Sequence, residues 1–81
     1  MLLDKFKLCK VLEGQYLMKQ NSNASSFFIL HEGKLTVEIN GAIKRYIEPG
    51  EGFGELALLY SAPRSASIKA VKSSFLWYID R

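Results

Sequence analysis

Leu35, Val37 and Ile39 alternate with Lys34, Thr36 and Glu38, and the run ends directly in Asn40-Gly41. Side chains on a strand point to opposite faces in turn, so this alternation is that of a half-buried strand. Asn-Gly supplies the two positive φ angles that a type I′ turn needs, and residues 42–47 must therefore return antiparallel. The same period runs through most of the chain. Residues 5–12 and 15–19 flank Glu13-Gly14 and read as a first hairpin-like pair. Residues 26–31, rich in Phe and Ile, form a strand ended by Glu32-Gly33, and residues 42–47 are stopped by Pro49-Gly50. Ala66, Ile68 and Ala70 alternate along 65–71; Lys72-Ser73-Ser74 reads as a turn, and residues 75–79 as the last strand. Trp77 shares a face there with Phe75 and Ile79 and is expected in the core. Seven or eight short strands at near-regular spacing predict an all-β sandwich or barrel.

Composition narrows the classes further. Eighty-one residues make one small domain at most, and the chain reads as a single unit over 1–81. With 48% hydrophobic and 12% aromatic residues it is not a disordered chain. No apolar run, that of Leu56 to Tyr60 included, exceeds five residues, far short of the roughly 18–20 a membrane span needs. Asp4, Lys5 and Lys7 interrupt any signal-peptide apolar region, and the single Cys9 closes no internal disulfide, so a cytoplasmic setting is expected. Cys9 itself, in a strand pattern, reads as a small buried hydrophobe. The net charge of +3 is spread along the chain rather than gathered in a stripe, which argues against a nucleic-acid polymer as partner. One histidine, His31, does not make a metal site, and no nucleophile–base–orienter set is visible, so no catalytic residue is expected.

One segment breaks the alternation. Glu55-Leu56-Ala57-Leu58-Leu59-Tyr60 lies between Gly54 and Ser61-Ala62-Pro63 and suits a helix of one to two turns. Glycines at 50, 52 and 54 allow positive φ and close backbone approach to a ligand. The helix start that follows offers free N–H groups, a ready place for a phosphate. Arg64 supplies a fork of donors fitted to phosphate oxygens, and Glu55 a carboxylate suited to a sugar hydroxyl. Together they describe a nucleotide with a compact phosphate. The segment is not a P-loop, because no Gly-Lys-Ser/Thr follows, and no βαβ unit makes it a dinucleotide site. Three glycines in five residues also fit an ordinary tight turn.

Phe53-Gly54-Glu55-Leu56-Ala57-Leu58-Leu59-Tyr60, followed by Pro63-Arg64-Ser65-Ala66, resembles the phosphate-binding cassette of cyclic-nucleotide-binding domains. The likeness is to the forms in cGMP-dependent protein kinases and cAMP-dependent kinase regulatory subunits, and Ile79-Asp80-Arg81 resembles the strand end that follows their cassette. The resemblance implies an eight-stranded jelly-roll barrel with one short cassette helix, truncated before the lid helix that follows the barrel in the family. It implies that Gly54, Leu56, Ala57 and Ala66 offer backbone N–H groups to the cyclic phosphate. Glu55 would hold the ribose 2′-hydroxyl, and Arg64 the exocyclic oxygen. Ser65 keeps the hydroxyl that cGMP-selective relatives present to the guanine amino group, and Arg45 matches a strand arginine that can donate to guanine O6. Adenine has a donor at that place instead. The ligand expected is thus cGMP ahead of cAMP, with no further cofactor. The partner expected is a kinase catalytic domain, in the same chain or as a separate subunit. A cAMP-kinase regulatory domain and a jelly-roll interaction module without ligand are the alternatives.

Overall fold

The structure, a computed structural model, describes residues 6–21, 26–54 and 65–80. These form six strands: β1 (Lys7–Val11), β2 (Tyr16–Met18), β3 (Ser26–Ile39), β4 (Ala42–Ile47), β5 (Gly52–Phe53) and β6 (Ser67–Asp80). All pair antiparallel in one sheet of order β1-β6-β3-β4, with β2 added to β6 and β5 to β3. The all-β class expected from the sequence holds. The short helix expected over 55–60 lies outside the described residues.

The long ladder between β3 and β6 organises everything else. It runs from Ser26 opposite Asp80 to Glu38 opposite Ser67, with register shifts between Leu30 and Leu35. Those shifts fall at Glu32-Gly33 and at Lys72-Ser73-Ser74, the two places where the sequence predicts chain-ending turns. Both strands instead bend there and continue, because each bulge kinks the strand without breaking its partnership. Counting the arms of the bent strands separately gives eight strand segments among the described residues. One arm carries β1 and β5 at its sides, and the other carries β2 and β4.

Two local pairings differ in outcome. The hairpin-like pair around Glu13-Gly14 does not form: β1 and β2 both pair with β6, at 74–78 and at 68–69. The turn between them steps the chain along one edge of β6. It is held by Gln15 N–H on the Leu12 carbonyl at 2.9 Å, and by Gly14 N–H on the Ala70 carbonyl at 2.9 Å. The Asn40-Gly41 turn forms as expected, with φ of 53° and 82° at its two central residues. The sheet is open among the described residues, with β1 and β4 as its edges, rather than a hydrogen-bonded closed barrel. The bends fold it over on itself, so side chains rather than a closing ladder join the two arms.

The core shows that joint. Phe28, Leu30 and Leu76 from one arm and Leu35, Ile47, Ile68 and Ala70 from the other make one buried cluster, with Val11 of β1 alongside. Phe28 stacks on Phe53 at 5.5 Å between ring centres and meets Tyr78 at 5.9 Å. Ser74 is wholly buried at the bend, donating to the Lys72 carbonyl at 2.7 Å and accepting the Lys34 N–H at 3.1 Å. A Cβ on Gly33 would lie 2.1 Å from its Oγ, so the hydroxyl occupies the space that glycine leaves. Trp77 is the clearest departure from expectation. Leu76 and Tyr78 turn inward, and Trp77 is 39% exposed, meeting His31 edge-on at 6.1 Å. A strand's side-chain period of two means that a one-residue error in phase turns every residue to the other face. Cys9 is partly buried against the core, and burial pushes its thiol pKa up, away from reactivity.

Candidate functional site

Four cross-strand partners set the floor of a cavity. Met18 of β2 lies opposite Ile68 of β6, Ile68 opposite Val37 of β3, and Val37 opposite Arg45 of β4. Facing partners on a pleated sheet share a side, so these four form a row across one face. Among the described residues, Ile47, Phe53, Gly54, Ser65 and Ala66 join them in lining a hollow of about 220 Å³, a little below the ~300–1,000 Å³ of ligand clefts. Apart from Arg45, its floor is apolar. Its polar groups are the Arg45 guanidinium, the Ser65 hydroxyl and backbone at the glycine-rich turn.

Gly54 sits at the lip with φ of 85°, a conformation that favours glycine and lets the backbone approach a ligand. Gly52 is needed for a different reason: a Cβ there would come within 2.8 Å of the Phe27 ring. Of the sequence-predicted site residues, the structure brings Arg45, Gly54, Ser65 and Ala66 to one cavity. Glu55, Leu56, Ala57 and Arg64 lie outside the described residues.

Arg45 already has a partner at the rim. Its Nη2 donates to Oε2 of Glu51, and the other carboxylate oxygen of Glu51 accepts the Glu48 N–H at 3.0 Å. That backbone N–H, and then the Arg45 guanidinium, hold the Glu51 carboxyl below its ordinary pKa of 4.5. The turn carrying Glu51 is itself fixed to the core: the Leu30 N–H donates to the Glu51 carbonyl at 3.0 Å, and the Gly50 N–H to the Leu30 carbonyl at 2.8 Å.

A second hollow, about 340 Å³, lies on the opposite face among Thr36, Glu38, Tyr46 and Lys69. It is larger but holds none of the predicted site residues, and two of its charged groups, Glu38 and Lys69, are engaged. Glu38 accepts the Tyr16 hydroxyl at 2.9 Å, and Lys69 lies over the Tyr16 ring at 5.5 Å. The smaller cavity is therefore the candidate site.

Sequence reading missed the apolar floor and Glu51. The alternation of Leu35, Val37 and Ile39 and of Ala66, Ile68 and Ala70 contained the floor, since Val37 and Ile68 are inward members of those runs. Glu51 left a weaker trace: a carboxylate three residues after Glu48, across a Pro-Gly turn, and six after Arg45.

Comparison with known proteins places the chain in a family. The family model of the cyclic nucleotide-binding domain matches residues 8–81. A cGMP-dependent protein kinase of Toxoplasma gondii is 34% identical over all of this chain, which spans 8% of that kinase. Among solved structures, cAMP-bound PfPKA-R is 33% identical with a TM-score of 0.89, over 96% of this chain and 28% of that one. The regulatory domain of Toxoplasma gondii PKA with cAMP is 30% identical with a TM-score of 0.84, over 94% and 31%.

Proposed function

Because the chain belongs to the cyclic nucleotide-binding domain family, we propose that its cavity is a cGMP site through which an attached or associated Ser/Thr protein kinase is controlled. Domains of this family are ligand-binding regulatory modules, and this one is related to kinase regulatory domains. The observation that carries the reading is the convergence of Arg45, Ser65, Ala66 and Gly54 on one apolar-floored hollow. Apolar side chains suit a flat base, and Arg45 and Ser65 are the polar groups at hand to read its edge. Gly54, Leu56, Ala57 and Ala66 give N–H groups to the phosphate, Glu55 takes the ribose hydroxyl and Arg64 the phosphate oxygen. The nucleotide needs no cofactor, and the domain performs no reaction. Binding shifts the domain between two states, and the kinase reads the shift. The setting is cytoplasmic.

A cAMP-responsive domain is the second reading, favoured by the cAMP carried in two of the similar structures. Calorimetry with cGMP and cAMP on this chain and on Arg64→Ala separates the possibilities. The expected result is saturable binding, tighter for cGMP, that weakens by about 1.5–3 kcal/mol without Arg64. Tighter binding of cAMP moves the domain to the second reading. Binding indifferent to Arg64 removes the phosphate assignment.

A further inference from the structure

We propose that Glu51 is a positioning residue that sets the base selectivity of this cavity by holding the Arg45 guanidinium at its rim. The inference rests on the cGMP reading of the site and adds a residue to it.

Arg45 carries a long side chain, 56% exposed, on an edge strand. A chain of that length left to itself samples many rotamers, and fixing it on a ligand costs entropy. Glu51 removes much of that freedom beforehand. Its carbonyl accepts the N–H of the wholly buried Leu30, and the Gly50 N–H beside it donates to the Leu30 carbonyl. One of its carboxylate oxygens takes the Glu48 N–H and the other takes Arg45. The carboxylate is thus a bracket, fixed at one end to the core-bound turn and at the other to the guanidinium.

A guanidinium has five N–H donors in a planar fork, so one edge can stay on Glu51 while the rest face the cavity. Guanine offers O6 and N7 as acceptors to those remaining donors, whereas adenine sets an amino donor where O6 would be. Holding Arg45 in place therefore strengthens cGMP and does little for cAMP. A glutamate carboxylate is ionised at neutral pH, so the bracket is charged there.

The test is calorimetric titration of cGMP and cAMP into the wild-type chain, Glu51→Gln, Arg45→Ala and the double variant, each checked for an unchanged melting curve. Glutamine keeps an acceptor for the Glu48 N–H and loses the charge that grips Arg45. Glu51→Gln is expected to weaken cGMP by about threefold to tenfold and to leave cAMP within about twofold. The double variant should bind cGMP no more weakly than Arg45→Ala alone, since Glu51 acts through Arg45. Equal weakening of both nucleotides, tighter cGMP binding in Glu51→Gln, or additive losses in the double variant overturns the inference. A wild-type chain that binds neither nucleotide, or binds without regard to Arg64, instead overturns the reading of the site itself.

Discussion

The bend shared by β3 and β6 and the rim of the cavity are built in opposite ways from the same sheet. At the bend, Leu30, Leu35, Leu76 and Ser74 are wholly shielded, and the Ser74 hydroxyl meets main-chain groups on both strands. No buried side-chain polar atom among the described residues lacks a partner. At the rim, Arg45 and Ser65 are exposed, and the ion pair that holds Arg45 reaches into solvent. The bend fixes shape by leaving no alternative packing, while the rim keeps polar groups available at little cost to the fold. On the proposed reading of the cavity, stability and recognition fall in separate places on the same two strands and their neighbours.

Substitutions can break that contrast, beginning where the effect is largest. Gly33→Ala puts a Cβ 2.1 Å from the Ser74 Oγ, on a backbone with φ of 115°. It should cost about 3 kcal/mol or more and leave much of the chain unfolded in urea denaturation. Leu76→Ala, in the wholly buried cluster, should cost about 2–5 kcal/mol by the same measurement. Arg45→Ala should change stability by no more than about 0.5 kcal/mol, yet lower the ratio of cGMP to cAMP affinity. If Arg45→Ala unfolds the chain, the separation of roles fails.

The smallest effect sharpens the contrast through pH. The folded-state pKa of Glu51 lies below its ordinary value of 4.5, so its contribution is whole above that pH and is lost as pH falls through the lowered value. The stability difference between wild type and Glu51→Gln should therefore be constant from neutral pH down to about 4.5 and close in more acidic solution. A difference that instead changes between pH 6 and pH 8 would point to another titrating group.

Much of this contrast is legible in the order of the amino acids. Alternation locates the strands, and Asn40-Gly41 specifies one hairpin because its chemistry is entirely local. The bends read as turns for a physical reason: Glu32-Gly33 and Lys72-Ser73-Ser74 carry turn residues, and whether such residues end a strand or kink it depends on a partner elsewhere in the chain. Ser74 and Gly33 explain one another, and neither is informative alone. The false hairpin at Glu13-Gly14 has the same origin, since both of its strands pair with β6 instead. For Trp77, a large aromatic side chain suggests burial, and the smaller Leu76 occupies the core. At the site, Arg45 and Ser65 are visible as polar residues in strand-like sequence, and Gly54 as a glycine before a helix former. Glu51 is hidden, because its role comes from a turn that folds it back onto a strand it follows by six residues.

The ladder between β3 and β6 also sets a schedule. Thr36 bonds to Lys69, 33 residues away, and Ser26 to Asp80, 54 residues away. Separations of that size mean a large loop must close before the contacts reward it, and chains of this kind fold slowly. On a ribosome the hairpin of β3 and β4 can form early, and β5 can join Phe28 and Ile29, but β1 and β2 wait for β6 to emerge. Until then the edge of the Phe27-Phe28-Ile29 arm that faces β6 stays open, the kind of aromatic strand edge that pairs with whatever chain is nearest. The fourteen residues of β6 therefore act as the step that gives β1, β2 and the long arm of β3 their partner.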